Sequence, residues 1–216
     1  MYRIILQLLL FIVPISVAAQ NMVAYDLDFS FNDGVYLGFS DFKSNNPIPV
    51  THIISNNDIR LPDYMELVLE PETLRYYDNL GEERIVKTTS LWGYSFGGKA
   101  FIQYGDGLFR MPIFGAITLF SAAVTTYRVM NDPTMMNPGM MPYQTMPVQE
   151  LKQFLLNMQT GQVSPYTIEN TLEMMVSAPD LVAEFTQLKR KKQQEGLLLL
   201  IRKYNDRFPV YFPQQD

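Results

Sequence analysis

Not one cysteine occurs in the 216 residues, and His52 is the single histidine. Without thiols there is no disulfide framework, no thiolate metal site and no cysteine nucleophile. The lipid-bearing cysteine that tethers a bacterial lipoprotein behind its signal is missing as well. One imidazole cannot build a histidine-rich zinc site, and His52, in Val50-Thr51-His52-Ile53-Ile54, has no carboxylate at a recognisable ligand spacing. It reads as a satisfied or surface histidine on a strand, so neither a metal nor a cofactor is assigned. Cations are in deficit too, with 17 Lys and Arg against 22 Asp and Glu, a net charge of −5 at pH 7. Phosphate recognition rests on clustered Lys and Arg, which argues against nucleic acid as a partner.

Long apolar runs are lacking after the first residues. Met1-Tyr2-Arg3 precedes an apolar block from Ile4 to Val17, and Val17-Ala18-Ala19 precedes Gln20. A basic start, an apolar middle and small residues at the cut site form the layout of a secretory signal peptide, residues 1–19. The block is shorter than the about 20 apolar residues a membrane helix needs. The expected product is a periplasmic or secreted chain cleaved near Ala19-Gln20, with no transmembrane segment after signal removal.

What is present is abundant apolar and aromatic side chain, 47% and 13% of the chain, enough for a folded core. Asp33-Gly34 leads into a short strand at Val35–Phe39, and Ser40 reads as the cap of a helical turn over Asp41–Asn45. From Pro49 to Tyr127 the pattern alternates with period two between turn signals, predicting a meander of antiparallel strands. Its clearest hairpin spans Leu91–Tyr104, bent at Gly97-Gly98, where positive φ carries no steric cost. The apolar run Ile113–Val124 predicts a buried strand pair or one long bent strand. Residues 130–147 interleave Met with Pro133, Pro138, Pro142 and Pro147 and read as an irregular loop. Gln159-Thr160-Gly161-Gln162 then turns another hairpin. Thr167 caps a helix with Ile168, Leu172 and Met175 on one face. Ser177-Ala178-Pro179-Asp180 starts a second helix running to about Asn205, interrupted at Gly196. Val210-Tyr211-Phe212 is an extended tail.

The expected architecture is therefore α+β. Residues 20–166 form an antiparallel meander, a twisted sheet or small open barrel carrying the 130–147 loop. Residues 167–216 form a helical segment packed on one face of that sheet, in the same domain.

Gly93-Tyr94-Ser95-Phe96-Gly97 spells G-x-S-x-G and is similar to the nucleophile elbow of α/β-hydrolases. That chemistry needs a histidine base after the serine, whereas His52 lies 43 residues before it. A glycine-turned hairpin is the better reading, and no catalytic residue is assigned. The aromatic stripe Trp92, Tyr94 and Phe96 with Phe101 and Tyr104 offers a stacking platform for a sugar or peptide, or else packs a sheet on a helix. Met135, Met136, Met140 and Met141 offer either soft thioethers for Cu(I) or an adaptable contact surface. Lys189-Arg190-Lys191-Lys192 spans the whole circumference of a helix and reads as a solvated segment.

Three segments carry a resemblance. They are Asp33-Gly34-Val35-Tyr36-Leu37 with Asp41-Phe42-Lys43-Ser44-Asn45-Asn46-Pro47, then Leu91-Trp92-Gly93-Tyr94 with Gly97-Gly98-Lys99-Ala100-Phe101-Ile102, and Lys203-Tyr204-Asn205-Asp206-Arg207-Phe208-Pro209. Together they resemble uncharacterised secreted or periplasmic proteins of gut-type Gram-negative anaerobes. The resemblance implies an exported setting and a shared fold, and it brings no activity, ligand or catalytic residue. The leading expectation is a non-enzymatic envelope or secreted protein that binds a protein or glycan partner. The alternatives are a serine hydrolase using Ser95 and a Cu(I)-handling protein using the methionine loop.

Overall fold

The alternation read at Gly93–Arg110 forms the middle of a five-stranded antiparallel sheet. Strand β6 (Gly93–Phe96) pairs with β7 (Lys99–Tyr104), and β7 with β8 (Gly107–Arg110). On the other side of β6 lie β2 (Gly34–Tyr36) and then β3 (Ile48–Pro49), giving the order β3-β2-β6-β7-β8. Gly97 and Gly98 adopt φ of 57° and 72°, the twisted two-residue turn the dipeptide predicts. The computed structural model describes residues 21–26, 28–130 and 144–213. The expected signal segment and residues 131–143 of the methionine loop lie outside them.

A second sheet, in the order β11-β10-β9, is dominated by one hairpin. β9 (Ile117–Met130) and β10 (Gln144–Asn157) pair residue for residue over their whole length, and β11 (Val163–Pro165) adds to the inner end of β10. The run after Pro112 is thus one long strand. The irregular loop expected over 130–147 is corrected at both ends, because Met130 belongs to β9 and Gln144–Pro147 to β10. Density of proline misled here: a proline whose nitrogen faces an open sheet edge forfeits no ladder bond. β8 and β9, the edge strands of the two sheets, lie beside each other, and Leu119 N–H donates to Ile113 O at 2.8 Å where they join. The sheets curl together and form no closed barrel.

Alternate side chains of each sheet enter different cores, as period two requires. Tyr36, Ala100 and Ile102 of the first sheet face Phe120, Ala122, Phe154 and Leu156 of the second, with Phe31, Phe42 and Phe212 between them. The reverse face of the first sheet presents Val35, Tyr94 and Phe101 to Tyr64, Met65, Val68 and Leu69. Those four belong to α2 (Tyr64–Leu69), a helix inside the stretch expected to be all strand. Their spacing at i, i+1, i+4 and i+5 is a helical stripe, but two turns are too short to stand out of a longer period-two pattern. The two-stranded unit β4 (Thr73–Tyr77) with β5 (Glu83–Lys87) adds Leu74 to the same core.

The reverse face of the second sheet presents Ile117, Leu119 and Leu155 to the C-terminal helices. α3 (Ile168–Met174) starts where expected, the Thr167 hydroxyl accepting the Asn170 N–H at 3.1 Å. The single helix expected from Pro179 is two, α4 (Pro179–Thr186) and α5 (Arg190–Arg207), broken at Gln187-Leu188-Lys189. The break lets Phe185 and Leu200 enter one core from two directions. Gly196 sits inside α5 and does not interrupt it. Asn205 fastens α5 to the sheet, accepting the Ile117 N–H at 2.9 Å and donating to Ile117 O at 2.8 Å. The tail forms β12 (Tyr211–Pro213), paired with β1 (Met22–Ala24). The helical turn after Gly38 is α1 (Phe39–Lys43), two residues earlier than a cap at Ser40 predicts, with Gly38 N–H donating to Asp41 Oδ2. The class is α+β, with the C-terminal helices on one face.

Candidate docking surface

Ser95 is fully buried on β6, and the turn that follows it leads straight into β7, so no helix starts there. Its hydroxyl donates to Asn32 O and shares a 3.0 Å hydrogen bond with the Tyr36 hydroxyl. Asn45 completes the network: Asn32 N–H donates to Asn45 Oδ1 at 3.0 Å, and Asn32 Nδ2 donates to Asn45 O at 2.7 Å. Asn45 holds φ at 47°, a left-handed conformation that asparagine tolerates better than most side chains. Among the described residues neither imidazole nor carboxylate bonds Ser95. His52 lies in a 3-10 turn over Val50–His52 instead of on a strand. The network knots β2, β6 and the end of α1 together, which is a scaffold's work.

The aromatic stripe does not form one platform. Tyr94, Phe96 and Phe101 point into the core under α2, where Tyr94 and Phe101 stack at 4.4 Å and 5°. Trp92 and Tyr104 belong to the core between the sheets, Trp92 stacking on Phe42 at 4.2 Å. Alternation along β7 puts Tyr104 on the face opposite Phe101, whereas Trp92 precedes β6 and so escapes the register of Tyr94 and Phe96. Burial raises Tyr94 and Tyr36 most. Tyr94 is pushed up to about 12, with the Glu66 carboxylate adding to the effect, and Tyr36 rises further, opposed by its bond to Ser95. A folded-state value above the unfolded one near 10 gives stability that is whole below pH ~10 and lost as pH climbs through ~12. Spectrophotometric titration should therefore show a late-ionising class of tyrosines whose appearance coincides with unfolding between pH ~10 and ~12.

Two depressions among the described residues bear on ligand binding. One between α4 and α5, about 100 Å³, is walled by Leu181, Phe185, Leu188, Leu199 and Lys203. It is below the ~300 Å³ at which small-molecule sites begin. The other, about 470 Å³, lies among Glu70, Thr73, Lys87, Gln103 and Asp106, large enough for a small ligand but lined by no aromatic ring. Among the described residues no cluster of His, Asp or Glu is arranged to hold a metal ion, and no helix is long and apolar enough to cross a membrane. Met135, Met136, Met140 and Met141 lie outside the described residues.

The feature left is the outer part of the β9–β10 hairpin. From Ala123 and Leu151 outward its uncharged face is off the core, and beyond Val124 and Glu150 it runs as a two-stranded ribbon. Tyr127 is 72% exposed, Leu151 76% and Met146 48%. Register separates its faces. Ser121, Ala123, Thr125 and Tyr127 share one face with Thr145, Pro147, Gln149, Leu151 and Gln153 of β10, and none of these is charged. The charges collect on the reverse face, where Arg128 pairs with Glu150 at 2.6 Å and Lys152 lies 3.5 Å from Glu150. The Arg128 hydrogen bond holds the Glu150 carboxyl below its ordinary range, with Lys152 helping. Soluble proteins rarely leave large apolar side chains together on a projecting element without a contact to make there.

Alternation also orders the backbone. Leu119 N–H points outward to Ile113, so the N–H and C=O groups of Ser121, Ala123, Thr125 and Tyr127 also point away from β10. Among the described residues these four meet no hydrogen-bond partner. On β10 the outward set includes Pro147, since Gln153 O accepts Tyr166 N–H at 3.0 Å from the outer side. Pro147 interrupts that edge and leaves the edge of β9 whole. Sequence reading missed the ribbon because pairing length is a tertiary property. The signal that could have found it was the charge-free run from Met111 to Tyr127, rich in β-branched residues.

No family model matches the chain. No curated protein matches it, and no solved structure does either.

Proposed function

We propose that this chain is an exported, non-catalytic interaction module that engages a protein partner through the β9–β10 ribbon. The observation that carries the reading is the uncharged face bearing Tyr127, Pro147 and Leu151, set on a projecting hairpin whose other face holds all the charge. Export is supported by the Met1–Ala19 layout. A protein partner is favoured over a glycan because the aromatics that could have stacked on sugar are consumed by two cores. The non-catalytic reading is supported by the burial of Ser95 and by the commitment of its proton to a backbone carbonyl.

Three outcomes are expected. The Tyr127→Asp, Leu151→Asp double variant keeps the thermal midpoint of the wild type. In pull-downs from envelope extract it loses, by tenfold or more, whatever the wild-type ribbon retains; equal retention by both proteins would defeat the reading. Ser95→Ala costs about 1–3 kcal/mol of stability, because the Tyr36 hydroxyl loses a buried partner. The wild type is not labelled at Ser95 by a fluorophosphonate probe, and labelling that Ser95→Ala abolishes would restore the hydrolase alternative.

A further inference from the structure

The edges of the described sheets are not equal. β3, β8, β11, β1 and β12 are two to four residues long. The edges of β4 and β5 carry Arg75, Glu83, Arg84 and Lys87. β10 is interrupted by Pro147. These are the devices by which proteins keep strand edges from pairing. β9 has none of them from Ile117 to Tyr127: no charge, no proline, and a run of Ser121, Ala122, Ala123, Val124, Thr125 and Thr126 that suits a ladder.

We infer that the occupant of this edge is a second copy of the chain, paired β9 to β9 in antiparallel register about a two-fold axis. The inference rests on the ribbon reading above and names its first partner. Three observations select a copy over an unrelated strand. An antiparallel edge is complementary to itself, because rotation by a half-turn presents the same outward N–H and C=O groups in reversed order. The chain carries a net charge of −5, so two copies repel on balance, and the neutral stretch of β9 is a place where they meet without adding to that cost. Ile113 already occupies Leu119 and β8 lies beside the inner end of the strand, so the free neutral length runs from Ser121 to Tyr127. A two-fold axis at Val124 pairs that length with itself, setting Ala123 of each copy against Thr125 of the other. Pairing at the edge leaves the ribbon faces open and joins the two uncharged faces into one surface twice as wide.

A strand-to-strand contact of this length buries less than the ~1,000 Å² of a tight interface, so the dimer is weak, with a dissociation constant on the order of 10 µM. Sedimentation equilibrium of the purified chain across that range should show a reversible monomer–dimer transition. Thr125→Pro removes an outward N–H that β10 does not use, and it should weaken association at least tenfold. Gln149→Pro, at the matching outward position on β10, should leave association unchanged, and the circular dichroism of both variants should remain that of the wild type. If a proline in β9 unfolds the ribbon, charge gives a second reading. Thr125→Lys and Thr125→Glu should each be monomeric alone and should associate when mixed, since a two-fold brings residue 125 of both copies close together. A chain that stays monomeric to ten times that concentration, or a dimer indifferent to every change at Thr125, overturns the inference. Continued loss of partner capture by Tyr127→Asp, Leu151→Asp in a monomeric chain would overturn it while sparing the docking function; no effect in either experiment would end both.

Discussion

Gly93→Ala should unfold this protein or destabilise it by on the order of 4 kcal/mol or more. Gly93 is extended, so conformational freedom is not the issue. A Cβ placed there would stand 2.1 Å from the Phe101 carbonyl oxygen and 3.2 Å from the Ile102 Cα, both backbone atoms of the neighbouring strand. Backbone cannot rotate aside as a side chain can. β6 and β7 would have to part, breaking the ladder that joins Gly93 to Ile102 and Ser95 to Ala100. Gly97 provides the internal comparison. It has positive φ, but nothing lies within 4 Å of its missing Cβ, so Gly97→Ala carries only the backbone strain of about 1 kcal/mol. Chemical denaturation of the two variants should separate them widely. A result in which Gly97→Ala is the more damaging would mean that the hairpin is wrongly placed. The contrast bears on function, because both glycines belong to the segment that resembles a hydrolase elbow. In such an elbow they would serve the serine; here Gly93 serves sheet contact and Gly97 serves the turn.

Phe42→Ala should cost about 3–5 kcal/mol, the range for emptying a large aromatic site in a closed core. Phe42 is fully buried and is the hub of the aromatic cluster between the sheets. Its ring lies 4.2 Å from Trp92, 5.1 Å from Tyr36, 5.3 Å from Phe31, 5.9 Å from Phe114 and 6.0 Å from Phe212. Those neighbours come from β2, β12 and the connections between elements, so relaxation into the void would have to move several segments together. Against a total stability of about 5–15 kcal/mol, such a loss leaves the protein marginal at best. Thermal melts followed by the fluorescence of Trp92, the only tryptophan, read it directly. A loss under ~1 kcal/mol would show that the site collapses freely and that the cluster is not the close-packed centre described.

Much of the local structure was legible in the chain. Gly97-Gly98 named a hairpin because a two-residue primed turn needs positive φ, and both glycines have it. Thr167 named a helix start because its hydroxyl can take the place of a missing carbonyl, and it does. Ser95 could be read as structural because the histidine a hydrolase needs is not after it. α2 was hidden by its length, and the division between α4 and α5 by the good helix-forming character of the residues that span it.

The ribbon was hidden for another reason. Its faces, its open edge and the exposure of Tyr127 and Leu151 follow from which residues of β10 oppose which residues of β9, and pairing across a turn is not written in either strand alone. By itself the sequence determined the chemistry on offer, with no thiol, one imidazole, an acidic balance, an apolar block from Ile4 to Val17 and a neutral run before Arg128. It also determined the local turns and caps, because those depend on neighbours within a few residues. Only the tertiary structure decided which aromatics are consumed by cores and which apolar side chains remain outside, because burial depends on contacts between residues far apart in the chain.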